Sequence, residues 1–316
     1  MGIALTAAVL TVAGCAHGKT GATAGPAAGA VSPSVSVAST PGSDPSTWTL
    51  PLLAYQPTPE QDGMIGKAEL KLVRGCVSSF GVQWQPGPDL PPLGPKNLLD
   101  RRYGIHDLQL AERRGYQLDA AMQSRYDAAM KAQSAMPPPS ADTEVLLGGT
   151  DIPPELLAQA GPEARSGMVA GKQIPPGGCF GQARRTLGSA THGVSQLVQQ
   201  LTHQSYTESG QDPQVQAVFA QWSACMREKG FDYKAPMDAN DDPRFEPSAK
   251  GVPKLEIATA TADVTCRNIH KVAEIWHDSE ARIQSREIEQ NQDALTADRR
   301  SLDAVLNRAA AIVAQP

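Results

Sequence analysis

Apolar residues recur along this chain at the three- and four-residue spacing of amphipathic helices, and the first clear run follows Thr58-Pro59-Glu60-Gln61. That tetrapeptide joins a helix N-cap, a first-turn proline and a capping-box glutamine, so order is expected to begin near Thr58. Ile65, Leu72, Val73, Cys76, Val77 and Phe80 then share one face, and Gly81 supplies the stop. The design returns at Asp212-Pro213: Val215, Val218, Phe219, Trp222, Cys225 and Met226 form a stripe that ends at Gly230. The exits correspond as well. Cys76, Gly81 and Trp84 match Cys225, Gly230 and Tyr233 at identical spacing, with Pro86 and Pro236 one residue out of register. This reads as a weak internal duplication, or as the ordinary likeness of amphipathic helices that stop on glycine.

In each copy a second cysteine leads into another helix: Cys179 before Ala183, Leu187, Leu197 and Leu201, and Cys266 before Ile269, Val272 and Trp276. The first copy carries extra chain in which Arg102 to Gly115 and Leu118 to Gln133 read as helices, and Glu144 to Leu147 as a short strand. From Lys254 to Gln315 there is neither Gly nor Pro, which predicts a long helix or a helical hairpin. Its heptad-like seam thins beyond Gln284, is polar all round from Ser285 to Asp293, and resumes at Leu295. The expected fold is mainly α. Two disulfide-linked helical-pair units span residues 57–206 and 211–316, with an irregular insertion at 86–178 in the first and a long C-terminal helix in the second.

The N-terminal pattern differs. Ile3 to Val12 is apolar but too short to cross a membrane, and Val12-Ala13-Gly14-Cys15 fits a lipoprotein processing site. Residues 1–14 are therefore expected to be a signal peptide, and Cys15 the acylated first residue of the mature chain, since two or more acyl chains give stable anchoring. The first positive charge is Lys19, so the usual basic start is missing: Met1 is a late start, export works without that charge, or the segment is an Ala-rich cytosolic terminus. Residues 15–48, dominated by Ala, Gly, Ser, Thr and Pro, read as a flexible tether with a span near 30 Å, about enough to lift a domain off a bilayer.

The formal charge of -5 offers no basic field for nucleic acid. The double arginines Arg101-Arg102, Arg113-Arg114, Arg184-Arg185 and Arg299-Arg300 are interleaved with acidic residues and read as solvated helix faces. With Cys15 assigned to lipid, Cys76, Cys179, Cys225 and Cys266 remain, an even number that in an exported protein predicts two disulfides. Three pairings are formally open; neighbour pairing, Cys76 with Cys179 and Cys225 with Cys266, is preferred.

Familiar catalytic spacings such as GxSxG, SxxK, HExxH and the Walker loop are missing, and no catalytic residue or cofactor is assigned. His270, Glu274 and His277 lie along one expected helix with donors that suit zinc or copper, although polar helix faces also produce such triplets by chance. Asp238, Asn240, Asp241 and Asp242 begin like a calcium loop, but Pro243 stands where the turn needs Gly and Ala249 where a bidentate Glu belongs, so a capped turn is expected.

Arg101-Arg102-Tyr103-Gly104, Gly177-Gly178-Cys179-Phe180-Gly181, Trp222-Ser223-Ala224-Cys225-Met226 and Ala262-Asp263-Val264-Thr265-Cys266-Arg267 resemble a group of uncharacterised actinobacterial secreted lipoproteins. The resemblance implies location, lipid and paired cysteines, and carries no activity with it. The function expected is a non-catalytic binding or protein-interaction module of the cell envelope, lipid-anchored to the outer face of the cytoplasmic membrane. Its partner would be an envelope protein or a wall polymer, met through the Tyr103 to Gly178 insertion or the C-terminal helix. An enzyme acting on wall polymers or peptides is the alternative, to be separated by ionisable groups that converge in a pocket with displaced pKa values.

Overall fold

The computed structural model describes residues 44–245 and 251–315, so the proposed signal peptide, Cys15 and most of the tether lie outside the described residues. The chain is mainly helical. The first elements are α1 (Pro59–Ser79), α2 (Leu108–Arg114), α3 (Ala120–Ser134), α4 (Ala141–Gly148), α5 (Pro154–Gln159) and α6 (Pro162–Arg165). A two-stranded hairpin, β1 (Met168–Val169) and β2 (Lys172–Gln173), precedes α7 (Gly178–Leu187), α8 (Gln196–Gln211), α9 (Pro213–Glu228) and α10 (Pro236–Asn240). The last three helices are α11 (Lys254–His270), α12 (Val272–Gln290) and α13 (Gln292–Ala314). Among the described residues, no helix is long and apolar enough to cross a membrane.

The punctuation read from the sequence operates as expected. Thr58 Oγ1 accepts from the Gln61 N–H at 3.3 Å while Gln61 Oε1 accepts from the Thr58 N–H at 2.9 Å, so two otherwise unpaired donors at the start of α1 are satisfied reciprocally. Asp212 does the same work for α9, accepting from the Gln214 N–H at 2.8 Å. Past α9, Gly230 at φ +88° lets the Phe231 N–H reach the Met226 carbonyl at 3.0 Å. Gly81 holds a similar left-handed conformation, φ +74°, after α1. The correspondence between the two exits is thus a shared way of stopping a helix.

Cys76–Cys179 ties α1 to α7 and Cys225–Cys266 ties α9 to α11, each at a Cα separation near 6 Å, 5.7 and 5.8 Å. The two stapled pairs share one body. An apolar helix stripe is wider than one neighbour can cover, so α1 also packs on α13, where Ile65 and Ala68 meet Leu302, Val305 and Ala309. In the same way α8 packs on α12 and α2 on α11. The main core gathers around Trp222, fully buried, with Val215, Val218, Val264 and Trp276 beside it.

Four expectations need correction. Thr58 is not the first ordered residue: two 3-10 turns, Pro45–Thr47 and Pro51–Tyr55, precede α1, and Pro45, Leu50 and Leu52 are buried, so the last residues of the predicted tether, from Pro45 on, belong to the fold. Glu144 to Leu147 is part of helix α4, capped by Ser140 on the Thr143 N–H at 3.2 Å; a short apolar run buried all round does not by its period distinguish helix from strand. The stretch from Lys254 is three helices and not one, the last of them, α13, being the expected long C-terminal helix. Lys271 turns the chain in the left-handed conformation, φ +55°, and Asn291 breaks it again, because burying Val272 on one side and Leu295 on the other outweighs the small cost of each turn. Arg101-Arg102 is not a solvated helix face either, since Arg102 lies in the interior, paired with Glu280.

A buried polar column on α12, which runs into the polar gap only at Glu287, has the same origin. His277, Glu280, Gln284 and Glu287 follow one another at spacings of three, four and three, the register of a buried seam, and all four are buried. Their partners are polar too. His277 Nε2 lies 2.8 Å from the Thr49 carbonyl, which fixes the proton on that nitrogen as a donor. Gln284 Oε1 accepts from the Leu52 N–H at 2.9 Å. Helix α12 therefore turns a column of hydrogen-bonding groups inward where apolar residues would be expected.

Candidate functional site

A cleft of about 600 Å³ opens between the segment 92–122 and the junction of α11 with α12, with Asp44 and Trp48 along one side. Most of its lining comes from the insertion, as expected of a loop region carried on a rigid scaffold. Helix α2 is placed by Asp107, which accepts from the Leu110 N–H at 3.0 Å, and it stops at Gly115, φ +59°. A Cβ there would meet the Glu256 side chain at 2.8 Å, so glycine alone allows this close approach to α11. Asp119 then caps α3 on the Ala121 and Met122 N–H groups, each at 3.0 Å.

One wall of the cleft is a compact set of charges. Asp44 Oδ1 accepts from the Ser46 N–H at 2.9 Å and Oδ2 from Lys96 Nζ at 2.8 Å. The Lys96 bond is the main reason the Asp44 carboxyl sits well below the usual carboxylate range. Asp100 Oδ2 accepts from the Lys96 backbone N–H at 2.7 Å, and its Oδ1 lies 2.9 Å from His106 Nε2. Burial works against the charged form of Asp100, but His106 and the Lys96 amide outweigh it and lower the pKa. His106 Nε2 is also 3.6 Å from Asp44 Oδ1. Ligand atoms of Asp44, Asp100 and His106 all lie within 4.8 Å of one another, the one such group among the described residues.

Two guanidinium groups supply the opposite charge. Arg101 donates to the carbonyls of Tyr116 at 2.8 Å and Gln117 at 3.4 Å. Burial, and then the nearby charge of Arg114, lower its pKa. Arg114 reaches Asp119 only at 3.8 Å. Beside these cations stand Ile105, Leu110, Leu118 and Met122, so the cleft offers guanidinium charge next to aliphatic surface.

The tetrapeptide Arg101-Arg102-Tyr103-Gly104 sorts its side chains between this cleft and the interior. Arg101 lines the cleft, whereas Arg102 and Tyr103 turn inward to Glu280. Gly104, φ +101°, leaves room for the Arg267 guanidinium, which a Cβ would strike. Arg267 uses that space to donate to the Tyr103 carbonyl and, at 2.6 Å, to Asp263 Oδ1. Asp263 also accepts from Trp222 Nε1 at 2.8 Å and from the Tyr116 hydroxyl at 3.1 Å. The cleft floor is thereby fastened to the core around the Cys225–Cys266 bridge.

The histidine triplet considered as a metal site is not brought together. Lys271 breaks the helix between His270 and Glu274, and His277 is buried with Nε2 engaged on Thr49. Glu274 lines the cleft. The calcium-like run is a capped turn, with Asp238 accepting from the Ala235 N–H at 2.9 Å and Asp242 held by Arg244 and the Tyr233 hydroxyl. Sequence reasoning passed over Asp44, Lys96, Asp100 and His106 because they lie up to about sixty residues apart on elements without regular period. The quoted Arg101 to Gly104 motif and the Tyr103 to Gly178 insertion pointed toward this region without singling them out. The chain matches no family model, and neither a curated protein nor a solved structure is similar to it. The two disulfides indicate an oxidising, extracytoplasmic environment.

Proposed function

We propose that this chain is a lipid-anchored envelope protein that binds, without chemistry, a carboxylate-bearing segment of a wall peptide or envelope protein in the cleft at Arg101 and Arg114. The likeness to secreted lipoproteins and the cysteine at position 15 support the anchor. Binding rests on one observation: two neighbouring guanidinium groups face a cleft in which, among the described residues, no carboxylate comes closer than 3.8 Å to Arg114, beside aliphatic walls suited to a peptide's side chains. The alternative, a wall-acting enzyme, draws on the Asp100–His106 pair in the same cleft. Both Asp44 and Asp100 are displaced downward, so neither carboxyl is suited to act as the general acid itself.

Two measurements test this reading. Wall-peptide fragments with free carboxylates are expected to raise the unfolding midpoint of the purified protein saturably, and the same fragments with amidated carboxylates are not. Arg114→Gln should weaken the interaction about tenfold or more, the worth of a hydrogen bond to a charged group. A midpoint that ignores the free-acid fragments defeats the assignment of the cleft. For the anchor, Cys15→Ser is expected to move the protein from the membrane fraction to the soluble one; retention in the membrane would show that something other than acylation holds it.

A further inference from the structure

We infer that Asp44, Asp100 and His106 form a binding site for a divalent transition-metal ion of the zinc class, built into the wall of the cleft, which goes beyond the peptide-binding reading. The donor set is mixed, two carboxylate oxygens and one imidazole nitrogen, both of them ligand types that zinc takes, and three protein ligands leave the fourth position free, as in open zinc sites. The spacing fits. Zinc bonds of about 2.0–2.2 Å in a tetrahedron set donors roughly 3.4 Å apart, and His106 Nε2 stands 2.9 Å from Asp100 Oδ1 and 3.6 Å from Asp44 Oδ1.

The remaining oxygens are already held. Lys96 takes Asp44 Oδ2 through its ammonium group and Asp100 Oδ2 through its backbone N–H, leaving both Oδ1 atoms toward His106. Such outer bonds orient ligands and are a regular part of metal sites. With Lys96 counted, the two carboxylates leave one net negative charge for the ion to meet. All three ligands line the cleft, so the fourth position is open to water or to an oxygen of a cleft ligand. Asp44 is also the first described residue, and Asn97 Nδ2 donates to the Ser46 carbonyl at 2.7 Å. A bound ion would cross-link the segment at Asp44 to the loop before α2, adding a coordinate bond where hydrogen bonds now hold it.

The test titrates the metal-free full chain with Zn²⁺ by calorimetry and with Co²⁺ by visible absorption. The wild-type protein is expected to take up one equivalent of either ion and to unfold at a higher temperature with it. His106→Gln keeps a hydrogen-bonding partner for Asp100 but removes the imidazole ligand. Loss of an outer-shell partner alone weakens metal binding about 10- to 100-fold, so this loss should exceed about 100-fold. Asp44→Asn, which keeps the oxygen that caps Ser46, should weaken binding too, and it serves in place of His106→Gln should that variant fail to fold. No saturable uptake by the wild-type chain overturns the site, and so does uptake that either folded variant leaves unchanged, because the ion would then sit elsewhere.

Discussion

Glu280→Ala is expected to destabilise the protein by about 3–5 kcal/mol, the range for removing one partner of a buried ion pair. Glu280 is fully buried, and the Arg102 side chain is only 10 % exposed. The carboxylate accepts from Arg102 Nη2 at 2.5 Å and Nε at 2.8 Å, from the Tyr103 hydroxyl at 2.8 Å, and from Gln284 Nε2 at 2.9 Å. Truncation would leave a guanidinium and a phenol without their acceptor inside the core. Arg102 has no easy retreat to solvent, because it lies 4.7 Å over the Tyr206 ring and donates to the Thr202 carbonyl. Urea unfolding reads the effect as a lowered midpoint at unchanged slope. The double variant Arg102→Met, Glu280→Leu should recover most of the loss, since apolar side chains of similar size often replace a buried pair at little cost. A single-variant loss below about 1 kcal/mol, the scale of an exposed pair, would mean that the pair is solvated.

Replacing Cys76 and Cys179 together by Ala is the second large effect, expected at roughly 2–5 kcal/mol. The bridge closes 103 residues, and chain entropy alone gives about 4.7 kcal/mol for a loop of that length, an upper figure where the unfolded chain keeps some structure. The loss should also be uneven in space. Helix α1 stays packed on α13 through Ile65 and Ala68, whereas α4 and α7 meet the rest of the fold chiefly through α1 and the bridge. Hydrogen exchange should therefore accelerate first in residues 141–187, with α9 and α11 protected by the Cys225–Cys266 bridge. Uniform acceleration across all the helices would show that the bridge acts on global stability alone.

The same division explains how much could be read in advance. Helices α1 and α9 were legible down to their caps, because capping, glycine stops and apolar period are local matters within a few residues. The cysteine pairing was legible as a preference among three. The buried column on α12 was not, since His277, Glu280, Gln284 and Glu287 look like a solvent face unless Arg102, Tyr103 and Ser205 are known to stand opposite. Nor was the helix break at Lys271, where packing on both sides overrode an unbroken propensity. The charge cluster at Asp44, Lys96, Asp100 and His106 is assembled by the loop before α2, which has no period to read.

On its own, then, the amino-acid order determined that the chain is mainly helical, where α1 and α9 start and stop, and that four cysteines are available for two bridges. Tertiary structure decided which polar residues face inward and which charges meet in the cleft. The physical reason is range: hydrogen-bonded turns and side-chain period act between neighbours in sequence, whereas the desolvation of a charge depends on whatever distant chain folds over it.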